Sequence, residues 1–201
     1  MSLHTNAPCT VSSELVSPPR NSPSTLKGVL ISEDSLRDRI TQLAQTLNQD
    51  YGNQRIVVVG VLSGTILFLA DLIRQLTGPV EIDFIGVSSY RDGTSPGEAA
   101  ITRSLKTDLK DRHVLIVDDI LDVGQTLTSV VEKISTQQPK DLRTCVLLEK
   151  TARRRLPITA DYVGFSIPDY FVVGYGLDYA EQYRNLPYVA VLDETQLGQK
   201  G

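Results

Sequence analysis

Cysteine and histidine are scarce in this chain. Cys9 lies in a polar N-terminal stretch and Cys145 in an apolar run, and there are no other cysteines. Such a pair makes no disulfide framework and has no zinc-ligand spacing. Two histidines, His4 and His113, are too few for a histidine-based metal centre. Long hydrophobic runs are missing too. Nothing approaches the ~18 uncharged apolar residues of a membrane helix, and the first residues lack the apolar core of a signal peptide. A cytoplasmic protein without a membrane partner is therefore expected. Positive charge does not dominate: 20 Lys and Arg stand against 24 Asp and Glu, a net charge of -4. That balance points away from a nucleic-acid partner. Neither G-x-x-x-x-G-K-S/T nor a post-strand G-x-G-x-x-G occurs, which disfavours a nucleoside-triphosphate loop and a dinucleotide fold.

What is present is the composition of one ordinary globular domain, 41% hydrophobic and 22% charged over 201 residues. Residues 1–25 are rich in Ser, Thr and Pro without apolar period and read as a disordered or loosely attached tail. Ser32 is a helix cap before Glu33 and Asp34. Leu36, Ile40, Leu43, Ala44 and Leu47 then form one helical stripe, ended by Tyr51-Gly52-Asn53. Strands follow at 56–62, 80–87, 113–117 and 142–148, with helices at 65–76 and 126–136. Strands alternating with helices argue for an α/β fold, a parallel sheet with helices on both faces. After residue 150 three short runs, 161–165, 171–175 and 188–192, read as a strand-rich appendage whose last strand rejoins the core.

The chemistry concentrates in VLIVDDILDVGQTL, residues 114–127. A buried strand delivers Asp118 and Asp119 to the carboxyl edge of the sheet, where open parallel sheets bind ligands. Asp122, Gly124 and Thr126 follow, and a helix begins near Gln125, offering free N–H groups to a phosphate. Carboxylates beside a phosphate need a mediator. Sugar hydroxyls or magnesium serve, so Asp118 and Asp119 are candidates for either, and Asp122 is a candidate general base. A solvated acidic turn is the plainer alternative for this segment alone.

This segment resembles the phosphoribosyl-pyrophosphate signature of type I phosphoribosyltransferases. Residues 57–76, 80–90 and 168–192 resemble, in order and spacing, the hypoxanthine-guanine branch. The likeness runs from about Leu26 to Asp193. It implies a single domain over 26–201, with a small hood drawn from the N-terminal segment and from residues after about 150. It also implies phosphoribosyl transfer from 5-phospho-ribosyl 1-pyrophosphate to a 6-oxopurine, with Mg2+ and release of pyrophosphate, by a homodimer or homotetramer.

Site roles carry over residue by residue. Asp122, Val123, Gly124, Gln125 and Thr126 would wrap the 5-phosphate, and Asp118 and Asp119 would hold the ribose. Phe171 would stack on the purine, Val172 would offer its backbone, and Lys150 would donate to the 6-oxo group. Asp178 would belong to the purine site and, with Asp118 and Asp119, would serve the metal. Arg184, Arg154, Ser63 and Gly64 would meet pyrophosphate, Arg154 being one choice within the run 153–155. Ser89 and Tyr90 would begin a lid over residues 91–111. Two positions depart from the family: Ser63 stands where lysine usually precedes glycine in a loop with a non-proline cis peptide, and Gln125 where lysine is frequent. A xanthine-preferring enzyme and a nucleotide-sensing regulator of the same fold are the competing readings.

Overall fold

The computed structural model describes residues 7–89, 99–193 and 195. Its elements are β1 (Cys9–Thr10), β2 (Leu26–Ile31), α1 (Glu33–Tyr51), β3 (Ile56–Leu62), α2 (Ile66–Ile73), β4 (Val80–Ser89), β5 (Ala99–Arg103), β6 (His113–Leu121), α3 (Gln125–Ser135), β7 (Asp141–Glu149), β8 (Tyr162–Ser166), β9 (Val172–Val173) and β10 (Val189–Leu192). Seven strands form the main sheet in the order β1-β8-β7-β6-β3-β4-β5, and β2-β10-β9 form a smaller antiparallel sheet. All pairs of the main sheet are parallel except β4 with β5. No helix among the described residues is long and apolar enough to cross a membrane.

Side-chain alternation along β3 explains why helices cover both faces. Val58 packs with the α1 stripe and with Phe68, Leu69 and Leu72 of α2, whereas Val57 and Val59 pack with Leu127, Val130 and Ile134 of α3. All five residues of the α1 stripe are buried, and Ser32 caps the helix by accepting from the Ser35 amide at 3.2 Å. Gly60 allows the α2 contact: a Cβ there would lie 2.7 Å from Leu69 Cδ2.

Several elements differ from the sequence reading. Residues 162–166 are core, since β8 pairs in parallel with β7, and residues 150–161 cross between them without a helix. The last strand, β10, joins β2 and β9 rather than the main sheet. β5 falls within the stretch taken as a lid loop. Asp83 holds its return path, accepting from the backbone N–H groups of Lys106 and Thr107 at 2.7 and 2.8 Å.

The N-terminal segment is not loose where it is described. β1 adds to the edge of β8, Arg39 donates to the Ala7 carbonyl, and Val16 exchanges two backbone hydrogen bonds with Val29. Ser22 and Thr25 bond the hydroxyls of Tyr188 and Tyr183. Ser/Thr side chains thus find partners distant in sequence, a source of order that periodicity cannot register.

Candidate active site

β6 is longer than its apolar run, continuing through both aspartates to Leu121. Its neighbours explain this. β3 leaves β6 after the pair Gly60–Val117, whereas β7 stays with it to the pair Leu121–Glu149. Asp118 and Asp119 therefore sit where one neighbouring strand has departed, and the turn Leu62-Ser63-Gly64 curls over the opening. The Leu62–Ser63 peptide is cis. Gly64 lies so near Asp119 that a Cβ would run into that carboxylate.

The opening is a cleft of about 630 Å³ lined by Ser63, Gly64, Asp118, Asp119, Asp178, Arg184 and the whole loop Asp122–Thr126. Gly124 takes φ 97°, a left-handed turn that suits glycine, and starts α3 without a side-chain cap. The first-turn amides therefore face the cleft with the positive end of the helix, the setting for a phosphate. Arg184 spans the far wall. It donates to the Gly176 carbonyl at 2.8 Å and pairs with Asp178 at 2.9 Å and Glu181 at 3.0 Å.

A second cavity of about 260 Å³ adjoins the first, lined by Lys150, Arg153, Phe171, Val172 and Leu177; Asp119, Asp122 and Asp178 line both. Val172 is fixed by β10, and Phe171 meets Tyr179 edge-on with centroids 5.7 Å apart. Lys150 is 4% exposed. Its Nζ lies 3.5 Å from Asp122 and 3.7 Å from Asp169, and Arg153 spans the same two carboxylates at the same distances. The other oxygen of Asp122, Oδ1, is buried and finds no hydrogen-bond partner among the described residues. An unpaired buried acceptor is costly, so it is an expectant partner for a ligand donor.

A cavity of about 660 Å³ also lies between α1, α2 and residues 185–187. Its charges satisfy one another, Glu33 with Arg37 and Asp71 with Arg74, so it presents no comparable set of free groups.

Burial, and then the neighbouring Asp119, push the Asp118 carboxyl well above the usual carboxylate range; burial also raises Asp119. A raised acid holds its proton in the folded state where the unfolded chain has lost it. That contribution to stability is complete below the unfolded value near ~3.9 and is lost as pH rises through the folded one. Asp118→Asn should therefore raise the melting temperature of the ligand-free protein at neutral pH, and the advantage should shrink toward acid. Calorimetry across pH 5–8 reads both, and a variant less stable than the wild type at neutral pH would refute the argument.

Most of the expected site residues converge. Arg154 does not: its guanidinium bonds the Ile158 carbonyl and lies 3.5 Å from Glu149, and it lines neither cavity. That placement is away from the cleft where the pyrophosphate role was expected of it. Ser89 ends β4, paired with Ala99, while Tyr90 and the lid residues through 98 lie outside the described residues. Sequence reading left Arg153 as an alternative within the run 153–155 and missed Asp169. Their signal was proximity to Lys150 and Phe171, which is weak until the fold brings the two segments together.

Comparison with known proteins decides the family. The family model described as "Phosphoribosyl transferase domain" matches residues 32–180. A hypoxanthine-guanine phosphoribosyltransferase of Staphylococcus epidermidis is 44% identical over 168 residues, 83% of this chain and 94% of that protein. The chain belongs to the phosphoribosyltransferase family, in its hypoxanthine-guanine branch. The crystal structure of a hypoxanthine phosphoribosyltransferase from Staphylococcus aureus superposes with TM-score 0.84 at 40% identity, covering 90% of this chain and all of that one. A bifunctional protein TilS/HprT of Listeria innocua is 46% identical over 168 residues; that match takes in 83% of this chain, which spans about a quarter, 26%, of that longer protein.

Proposed function

We propose that the protein transfers the 5-phosphoribosyl group from 5-phospho-ribosyl 1-pyrophosphate to N9 of hypoxanthine or guanine, releasing pyrophosphate and giving IMP or GMP. The observation that carries this reading is Asp122, placed where the two cavities meet, with one oxygen unpartnered and the other facing Lys150. The larger cavity accepts the donor, its 5-phosphate on the amides of residues 123–126 and its ribose hydroxyls on Asp118 and Asp119. The smaller accepts the base between Phe171 and the backbone of Val172, with Lys150 donating to the 6-oxo oxygen.

The C1–O bond to pyrophosphate breaks, positive charge grows on the ribose, and N9 forms the new bond to C1. As N9 attacks, the proton on N7 passes to Asp122. Arg184 faces the leaving pyrophosphate, and Ser63 with Gly64 lies beside it.

No group of three potential ligands is gathered for a metal among the described residues. Magnesium needs none, since it takes one or two carboxylates and fills the rest with substrate oxygens and water. One or two of Asp118, Asp119 and Asp178 would supply that donor set, and the ion bound there would neutralise charge on pyrophosphate. The reading extends to a cytoplasmic homodimer or homotetramer.

Pyrophosphate release with the donor, magnesium and each of hypoxanthine, guanine, xanthine and adenine tests the proposal. Fast turnover is expected with the first two and only slow turnover with adenine. Xanthine as the only acceptor would move the substrate assignment, and no turnover with any purine would overturn the reading.

A further inference from the structure

We propose that Arg154 is a positioning residue for the 5-phosphate loop, acting through a strap that also carries Lys150. The inference rests on the function proposed above.

The strap runs from Glu149, the last residue of β7, to Ile158. Arg154 closes it from inside, bonding the Ile158 carbonyl at one end and pairing with Glu149 at the other. Both partners of the ion pair are largely buried, with side chains 15% and 14% exposed. A half-desolvated pair of that kind holds its geometry better than a solvent-exposed one.

The outer side of the strap is laced to the loop that follows β6. Lys150 N–H donates to the Leu121 carbonyl at 3.0 Å, and the N–H groups of Arg155 and Leu156 donate to the Val123 carbonyl at 3.1 and 3.4 Å. The two segments also touch at Gly124. A Cβ there would lie 2.8 Å from Ile158 Cγ2 and 3.5 Å from Arg154 Cδ and Leu156 Cβ. The phosphate loop thus has a wall behind it, and the wall keeps its shape because Arg154 ties its two ends together. Arg154 itself lines neither cavity. It acts on the amides of Val123, Gly124 and Gln125 by fixing the backbone that presents them, and on Lys150 by fixing the residue before it.

The positioning role and a direct pyrophosphate contact predict opposite results when the two halves of the donor are probed separately. Calorimetric titration of the full chain with GMP, and separately with magnesium pyrophosphate, is the test, alongside steady-state KM and kcat. Arg154→Ala is expected to weaken GMP binding and to raise the donor KM by about tenfold. Pyrophosphate affinity should be unchanged, and kcat at saturation should stay within about threefold. Arg154→Lys should recover part of the GMP affinity, because it restores the charge beside Glu149. Pyrophosphate affinity falling as far as GMP affinity would overturn the proposal in favour of direct contact, and no change in either would overturn it outright. Should Arg154→Ala fail to fold, Glu149→Gln weakens the same pair without emptying the strap, and an unaltered GMP affinity there sinks the idea equally. A wild-type chain that binds no GMP at all would refute the function, a separate outcome from any difference between variant and wild type.

Discussion

Asp122→Asn is expected to lower kcat for hypoxanthine and guanine by a factor of about 10²–10⁴, the usual range for removal of a general base. The KM of the donor should rise far less. The asparagine keeps the shape of the side chain and one oxygen acceptor, so the loop Asp122–Thr126 has no steric reason to move. What is lost is the ability to take a proton at the point where the two cavities join. The electrostatic surroundings sharpen the expectation. Asp122 sits 3.5 Å from both Lys150 and Arg153, and a neutral amide would leave those cations with only Asp169 between them. Repulsion then bears on the base subsite, so some rise in purine KM accompanies the loss in kcat. Steady-state kinetics with donor and base varied in turn separates the two effects. A variant retaining more than a tenth of wild-type kcat would remove Asp122 from the proton-transfer role.

How much of this site was visible in the primary structure depends on whether its parts lie within one local run. Asp118 to Thr126 form one segment, and a buried strand leading to acidic residues and a helix start declares itself by type and spacing alone. The α1 stripe was legible for the same reason: its partners are set by a 3.6-residue period. Elements held by distant pairing were not. β8 has no helix before it to mark a crossover, so its short run resembled the hood strands, although it pairs with β7 over Cys145–Glu149. β2 and β5 lack strong alternation, and their pairing with β10 and β4 is a fact of the folded chain.

Arg154 illustrates the limit at the level of one residue. Within Arg153-Arg154-Arg155, identity gives no way to choose which guanidinium faces the site. The fold chooses: Arg153 turns to Asp122 and Asp169, and Arg154 turns inward to Glu149. The Leu62–Ser63-Gly64 turn shows the opposite case. Serine replaces the family's usual lysine, yet the turn still reaches the cleft, because Gly64 keeps the close approach to Asp119 and Gly176 packs on the Gly64 backbone. The departure removes a charge and leaves the shape.

Lys150→Met should separate recognition of the base from the rest of the machinery. Methionine approximates the length of the lysine stem and fills the same space, so packing near Val172 and Leu177 is retained. The donor to the 6-oxo group is lost. A charge-assisted hydrogen bond of about 3 kcal/mol corresponds to roughly a hundredfold in kcat/KM for hypoxanthine and guanine. Adenine offers an amino group at that position and gains nothing from Lys150 in the wild type, so its slow reaction should change little or improve. The ratio of hypoxanthine to adenine kcat/KM is therefore the quantity to measure, and a ratio within threefold of the wild type would reduce Lys150 to a structural cation. Its present partners bound the side effects. Asp169 is 49% exposed at its side chain and can return to water, whereas Asp122 keeps Arg153 at 3.5 Å. The folded state thus loses one buried cation without stranding a buried anion, and the melting temperature should move by only a few degrees while selectivity falls by orders of magnitude. Lys150→Arg should not rescue selectivity, because a planar guanidinium lying between the same two carboxylates projects its donors along a fork that fits them rather than the single oxygen of the base.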